Sequence, residues 1–552
     1  MKRKSLSIGF GIAVLAFLAA VVPAGVFAAT IVVNDASINA GETVTWTADN
    51  TYILDKFVFV EDGAVLNIEA GTVIKGKPGQ GENASALIIC QGGKIFAEGT
   101  ADRPIIFTAE SDDINNPYDI PFGTSGLWGG LILLGKSRIN TAEGVGNIEG
   151  IPSSETRGQY GGDDDTDSSG VLRYVSLRHG GTDIGEANEI NGLTMGAVGS
   201  GTTIEYIEVF NNNDDGFEWF GGTVNCRNLV AAFCKDDSFD YDEGFRGKGQ
   251  FWFAIQGADY GNCAGEHDGG TTPEDGLPYA IPVIYNATYI GSGKASQNAD
   301  NEVALKIRDN AGGKYLNSIF TDFFGRGVDV EDLTSGEDSA NRLAVGDIVI
   351  ANNIFHNFGV GSTWSVIGRQ QNIATHLQNN NNVIADPMLR GISRVADSGL
   401  DPLLMTGSPA FANLAAYPSG DDFFDKVQYK GAFGYTNWAL GWTALDSYGF
   451  LTGGTVDVAE NETVPAEFEL TQNFPNPFNP TTTIGFRLFT AGSVQLNVYD
   501  VLGRRVDTLV DRILAPGSYA VNWDASQHAS GAYFYTLEAG GARLTGRMLL
   551  IK

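Results

Sequence analysis

Two acidic blocks stand one short interval apart in this chain. "NNNDDGFEWFGG" (211–222) is followed by "CKDDSFDYDEGF" (234–245), so Asp214, Asp215 and Glu218 return as Asp236, Asp237 and Asp240 at an offset of 22 residues. The aromatics keep the same offset, Phe217 to Phe239 and Trp219 to Tyr241. Hard carboxylate oxygens at this density suit Ca²⁺, with Asp215, Asp237 and Asp240 as candidate ligands. As a glycosidase site, Asp214, Asp215, Asp236 and Asp237 would offer acid and base carboxylates whose separation decides the mechanism. As a lyase site, the same cluster would hold the metal, and Lys306 or Arg308 of "LKIRD" (305–309) would be the base. Trp219, Tyr241 and Trp252 would form a platform for sugar rings if they face solvent, and core if they do not. A reading without any ligand also stands, because Asp and Asn at bends bond their own backbone. Arg227, Lys235, Arg246 and Lys248 lie close enough in sequence to neutralise part of the cluster.

A second candidate is "GGDDDTDSSG" (161–170), where Asp163, Asp165 and Asp167 alternate as at the start of a calcium loop. Ser168 stands where an EF-hand loop needs Gly, and Tyr174 where it needs its twelfth-position Glu. It is a calcium loop of another kind or a solvated acidic loop. The five His residues are scattered without paired zinc-ligand spacing, and neither a G-x-S-x-G elbow nor a P-loop occurs. Cys90, Cys226, Cys234 and Cys263 allow up to two disulfides in an exported chain, or four buried thiols.

What would position these residues? Seventy-two glycines punctuate short runs rich in β-branched and aromatic residues, and few stretches show a helical period. "IEYIEV" (204–209) aligns with "CRNLVA" (226–231) at 22, "IRD" (307–309) with "VED" (330–332) at 23, and "GLTM" (192–195) with "GFEW" (216–219) at 24. A period of this size predicts an all-β solenoid, a right-handed parallel β-helix with one coil per repeat. Immunoglobulin-like arrays repeat near 100 residues and propeller blades near 40, so both are excluded. Stacked coils put Asp215 beside Asp237 and Asp214 beside Asp236 at about 4.8 Å. Two carboxylates at that distance repel by about 3.5 kcal/mol at an effective dielectric of ~20. Something must compensate.

The ends of the chain carry a different signal. Residues 1–29 have three basic residues, an apolar run from Ile8 to about Val22, and small residues at Ala28 and Ala29, the pattern of a secretory signal peptide. No later stretch is long and apolar enough for a membrane span. The last 86 residues, 467–552, alternate apolar and polar residues between Gly/Pro turns, which predicts a small β-sandwich of about seven strands. "GGTVDVAENETVPAEF" (453–468) has linker composition, giving a body at 30–452, a linker at 453–466 and a tail from 467. The whole chain carries −31, the leader +3 and the tail zero, so 30–466 carries −34. A body that acidic excludes nucleic acid and anionic lipid as partners held by charge.

The tail resembles the C-terminal sorting domain of the type IX secretion system. The matching residues are Asn473-Phe474-Pro475-Asn476-Pro477-Phe478-Asn479-Pro480, the turn from Tyr499 to Arg504, Gly531-Ala532-Tyr533 and Lys552. The resemblance implies the type IX machinery as a partner, passage across an outer membrane, and a location outside the cell or on its surface. Body stretches such as "GTADRPIIFTAE", "LWGGLILLGKSRIN" and "YKGAFGYTNWALGWTAL" resemble secreted bacterial β-helix proteins. In the last stretch Trp438 and Trp442 look like an aromatic seal on the final coil. Paired Asp followed downstream by "LKIRD" is similar to the polygalacturonase set, yet Lys306-Ile307-Arg308 reverses that family's Arg-Ile-Lys order. No Gly-His-Gly lies between, only "GEHDGG" around His267. These features lead to the expectation of an exported β-helix protein that binds polysaccharide or matrix with Ca²⁺. A polysaccharide lyase or hydrolase on the same fold, or a purely structural adhesive, are the alternatives.

Overall fold

The computed structural model forms two compact units, 1–453 and 454–552. It describes residues 29–185, 190–270, 272–452, 468–470, 473, 475–488, 492–500, 504–514, 517–539 and 542–552. Residues 1–28 of the expected signal peptide and all of the expected linker 453–466 lie outside them, as do 501–503 of the tail's Tyr499–Arg504 turn.

The body is a parallel coil. Each middle turn has two strands joined at a sharp bend, then a third strand on a separate sheet. Asn225–Ala232, for example, bends at Asn228 and is followed by Phe239–Asp242. The first two strand positions build an eighteen-stranded sheet and the third a nine-stranded one. The expected register holds in both: Ile204 pairs Cys226, Ile307 pairs Val330, and Leu193 pairs Phe217. Inward side chains fill one continuous core in which Trp219, Tyr241, Trp252, Tyr289 and Phe320 are wholly buried.

A column of left-handed residues makes the bend. Tyr174, Tyr206, Asn228, Phe251, Asn286, Asn317 and Asn352 occupy equivalent places in successive coils, with φ between 50° and 59°. Asn adopts this region at little cost because its short amide bonds locally. The bulky members are strained there, and Tyr174 and Tyr206 stack with centroids 4.4 Å apart.

That column holds a strap. Residues 389–452 leave the coil and run back over the outside of the bend. Asn286, Asn317 and Asn352 donate their side-chain N–H to the carbonyls of Tyr429, Ala415 and Asn413 at 2.7, 3.1 and 2.9 Å. The wholly buried Glu208 accepts the backbone N–H of Ala444 and Leu445, the start of a short helix, and the hydroxyl of Ser176. Trp438 and Trp442 pack on Tyr206 and Trp442 on Tyr174. They cover the flank of the middle coils instead of sealing the last one, because the strap doubles back before it reaches them.

The C-terminal unit has three- and four-stranded antiparallel sheets, made of Phe468–Leu470, Thr481–Leu488 and Gly517–Asp524, and of Gly492–Asp500, Arg505–Leu514, Gly531–Ala539 and Ala542–Leu550. Ile484, Phe486 and Trp523 from one sheet share a core with Leu496, Tyr535 and Leu537 from the other. The seven strands are the expected small sandwich.

Candidate functional site

Strand alternation sets the site. In Phe217–Phe220 and Phe239–Asp242 the residues Phe217, Trp219, Phe239 and Tyr241 point into the core, so Glu218, Phe220, Asp240 and Asp242 point out. Pairing carries the outward rows onward. Thr194 meets Glu218, Glu218 meets Asp240, Asp240 meets Glu266, Glu266 meets Lys306, and Lys306 meets Asp329. A second outward row runs from Asp268 to Arg308. Earlier coils present Phe59, Ile88 and Ile132 on this face, and Ile148, Ile151 and Tyr160 cover them. The face thus turns from apolar and covered to acidic, and then to basic.

The turn acids join this face. Asp214, Asp215 and Asp236 each place a carboxylate oxygen within 4.8 Å of the others, and so do Asp215, Glu218 and Asp240; a carboxylate oxygen each of Asp237 and Glu266 and the Sγ of Cys263 form a third such group. Asp215 and Asp237 stack as the offset requires. Asp215 Oδ1 accepts the N–H of Asp237 at 2.9 Å, and Asp237 Oδ1 accepts the N–H of Cys263 one coil further on. Asp215, Glu218 and Asp237 are 7%, 7% and 2% exposed. The backbone bonds occupy one oxygen of each Asp, so the ligand-free reading accounts for part of the column. Asn191 donates to both Glu149 and Glu218 from a neighbouring turn. Asp240 Oδ1 is buried with no hydrogen-bond partner among the described residues.

Electrostatics follow from burial. Desolvation, reinforced by neighbouring carboxylates, holds Asp215, Glu218, Asp237 and Asp240 well above the usual carboxylate range. Burial and then Asp268 raise Asp242 to about 7. The bases sit at one end only. Lys306 Nζ lies 2.5 Å from Glu266, and Arg308 Nε 2.8 Å from Asp268. Burial would raise Glu266, but Lys306 and Arg308 outweigh it and hold the carboxyl low. Glu266 in turn lifts Lys306 against its own desolvation, so its ammonium keeps the proton.

Several sequence expectations change here. Trp219, Tyr241 and Trp252 are each 0% exposed, with Trp219 and Trp252 stacked at 4.9 Å inside the coil. They form no sugar platform, because the strand phase that sends the acids out sends these rings in. Asp163, Asp165 and Asp167 do not converge either. Asp165 is held by Arg138, by Arg246 and by the Ser137 hydroxyl, Asp167 accepts the N–H of Lys136, and Asp163 is exposed. Nor do the expected neutralisers reach the column. Arg227 pairs Asp425, Lys248 pairs Asp421, Arg246 pairs Asp165, and Lys235 donates to Asn213. All four cysteines are buried and free.

Asp214, Asp215, Asp236 and Asp237 do come together, and Glu266 links them to Lys306 and Arg308. The residues that sequence reasoning missed are Glu266, Asp268 and Asp242. Glu266 lies 26 residues after Asp240, and the longer turn hides the repeat. His267, between the two acids, points inward, where Nε2 meets the Tyr315 hydroxyl at 2.7 Å and burial lowers it to about 3.

Residues 37–387 match the family model described as a pectate-lyase like beta helix domain. The chain belongs to the pectate-lyase-like β-helix family. Residues 472–552 of this pectate-lyase-like β-helix protein match the secretion system C-terminal sorting domain. The protein is therefore exported, to the cell surface or beyond, through the secretion machinery that reads such tails. Among the described residues no helix is long and apolar enough to cross a membrane. No curated protein matches the chain.

Proposed function

We propose that this exported pectate-lyase-like β-helix protein binds a divalent cation on the outer face of its nine-stranded sheet and, through it, an extracellular anionic polysaccharide. Ca²⁺ fits the donor set, because the groups on offer are carboxylates in a flexible, oxygen-rich arrangement. The observation that carries the reading is the convergence of Asp215, Glu218 and Asp240 within 4.8 Å, all three outward and none with a Lys or Arg ion pair among the described residues. Lys306 and Arg308, on one strand two coils past Asp240, would then meet carboxylate groups of the glycan once the cation competes for the acids.

Binding fits better than catalysis because the bases are committed. Lys306 is held protonated by Glu266, and Arg308 is protonated at any ordinary pH. A second reading, an acid-assisted polysaccharide lyase or hydrolase, draws support from the family match and from Asp242, whose carboxyl at about 7 is poised as a general acid near neutral pH.

Calcium titration of the wild type and of Asp215→Asn/Asp240→Asn, followed by a glycan array with and without chelator, tests the proposal. Binding of acidic glycans that disappears with chelator and in the variant is the expected result. Glycan binding indifferent to both would overturn it, and new reducing ends or unsaturated sugars in the bound fraction would favour the enzyme.

A further inference from the structure

A second carboxylate group lies past Arg308, beyond the column just described. Glu274, Asp309 and Glu331 place one oxygen each within 4.8 Å of one another. They come from three places in the chain: the loop after the strand Gly265–Asp268, the end of Val303–Arg308, and the end of Arg326–Val330. The register that pairs Ile307 with Val330 sets Asp309 beside Glu331, and the N–H of Asp309 donates to Glu331 Oε2 at 2.9 Å. That leaves the other Glu331 oxygen for a ligand.

Nearby cations do not neutralise this group. Arg308 is engaged by Asp268 at 2.8 Å and reaches Asp309 only at 4.0 Å. Arg342 is engaged by Asp347 at 3.2 Å and lies over the Tyr279 ring. Burial, with Asp309, Glu274 and Asp338 as neighbours, raises Glu331 despite the bond from Asp309.

An independent observation points to a ligand. Asn310 is 0% exposed and follows Asp309 directly, and its side-chain N–H donates to the carbonyl of Glu274 at 2.9 Å. The side chain is thus tied to the backbone of Glu274 and follows Asp309 in the chain, while its Oδ1 is buried and has no partner among the described residues. A buried amide oxygen without a donor is costly unless a cation or water meets it.

We propose that Glu274, Asp309 and Glu331, with Oδ1 of Asn310, form a second site for a Ca²⁺-like cation that fastens the loop 272–279 to the edge of the coil. Two features make the loop a fitting object for a clamp. It carries Leu277, 70% exposed, and Glu274 is its acid in the group. Calcium is favoured over Mg²⁺ because three carboxylates and an amide oxygen from separate segments suit its larger and less regular shell. This site does not depend on the reading of the Asp215 column.

The test uses the full chain with Ca²⁺ alone. In an Asp215→Asn/Asp240→Asn background one calcium equivalent should remain in titration, and adding Glu331→Gln should remove it. In the wild type, Ca²⁺ should slow proteinase K cleavage within 272–279 by about tenfold or more, and Asp309→Asn should abolish that protection. Unchanged stoichiometry on Glu331→Gln would overturn the proposal. So would wild-type loop cleavage that ignores Ca²⁺, a measurement that needs no variant to fold.

Discussion

Replacing Asp240 by Asn takes one charge out of the middle of the acid column while keeping its shape. Asp240 lies within 4.8 Å of both Asp215 and Glu218. Burial disfavours their ionised forms first, and each ionised pair at that distance adds about 3.5 kcal/mol at an effective dielectric of ~20, so these carboxyls hold their protons. Asp242 shows the scale: a carboxyl raised from 3.8 to about 7 corresponds to about 4 kcal/mol at pH above 7. The folded chain keeps a proton there that the unfolded chain releases above about pH 4, so stability falls as pH rises from about 4 to 7. In chelator at pH 8, Asp240→Asn should be more stable than the wild type by about 2–4 kcal/mol, and the gap should close near pH 4. Calcium at a hundred times the column's Kd should stabilise the wild type by about 2.7 kcal/mol more than the variant, which keeps only the second site. Urea denaturation followed by tryptophan fluorescence, across pH and with or without EGTA, reads all of these. A variant less stable than the wild type at pH 8 in EGTA would refute the reasoning, as would a wild type indifferent to both pH and calcium.

Trp219→Ala should cost about 3–5 kcal/mol of stability, because the ring is wholly buried against Trp252. Glycan affinity per folded molecule should stay constant, and a selective loss of affinity with stability intact would place the ring at a ligand. Glu208→Ala strands two backbone N–H groups and a hydroxyl, so it should destabilise the body by about 2–4 kcal/mol and open 430–450 to protease. Wild-type protease resistance would mean that the strap does not depend on this anchor.

The offsets of 22 to 24 were readable because one coil per repeat keeps the hydrophobic phase constant, and they placed Asp215 on Asp237 correctly. Alternation also separated Phe217 and Trp219 from Glu218, but alternation alone does not say which side is the core. The rings went in because a β-helix of this width needs large side chains to fill it. Glu266 escaped, and with it the placing of Lys306 in the acids' row, because turns of unequal length break the period at Asp240 to Glu266 and again at Glu266 to Lys306. The bend column was half-legible: Asn228, Asn286, Asn317 and Asn352 are residue types that favour left-handed backbone, whereas Tyr174, Tyr206 and Phe251 are not. The charges of Arg227, Lys248 and Arg246 were assigned to their sequence neighbours, and long-range partners on the strap and the 161–170 loop claimed them instead.

The strap ends by pairing back on itself, with Leu451 bridged to Leu400 and Thr452 bonded to the Leu400 carbonyl. Phe450 lies against Phe210 and Phe233 of the middle coils. The polypeptide therefore departs from the midriff of the stack. Tension transmitted through residue 452 would peel the lashing from the Asn286–Asn317–Asn352 ladder, one amide at a time, before any coil parted from its neighbour. A molecule tethered by its tail would respond to shear in two stages, and optical-tweezer traces with a small early extension preceding the large one would display them.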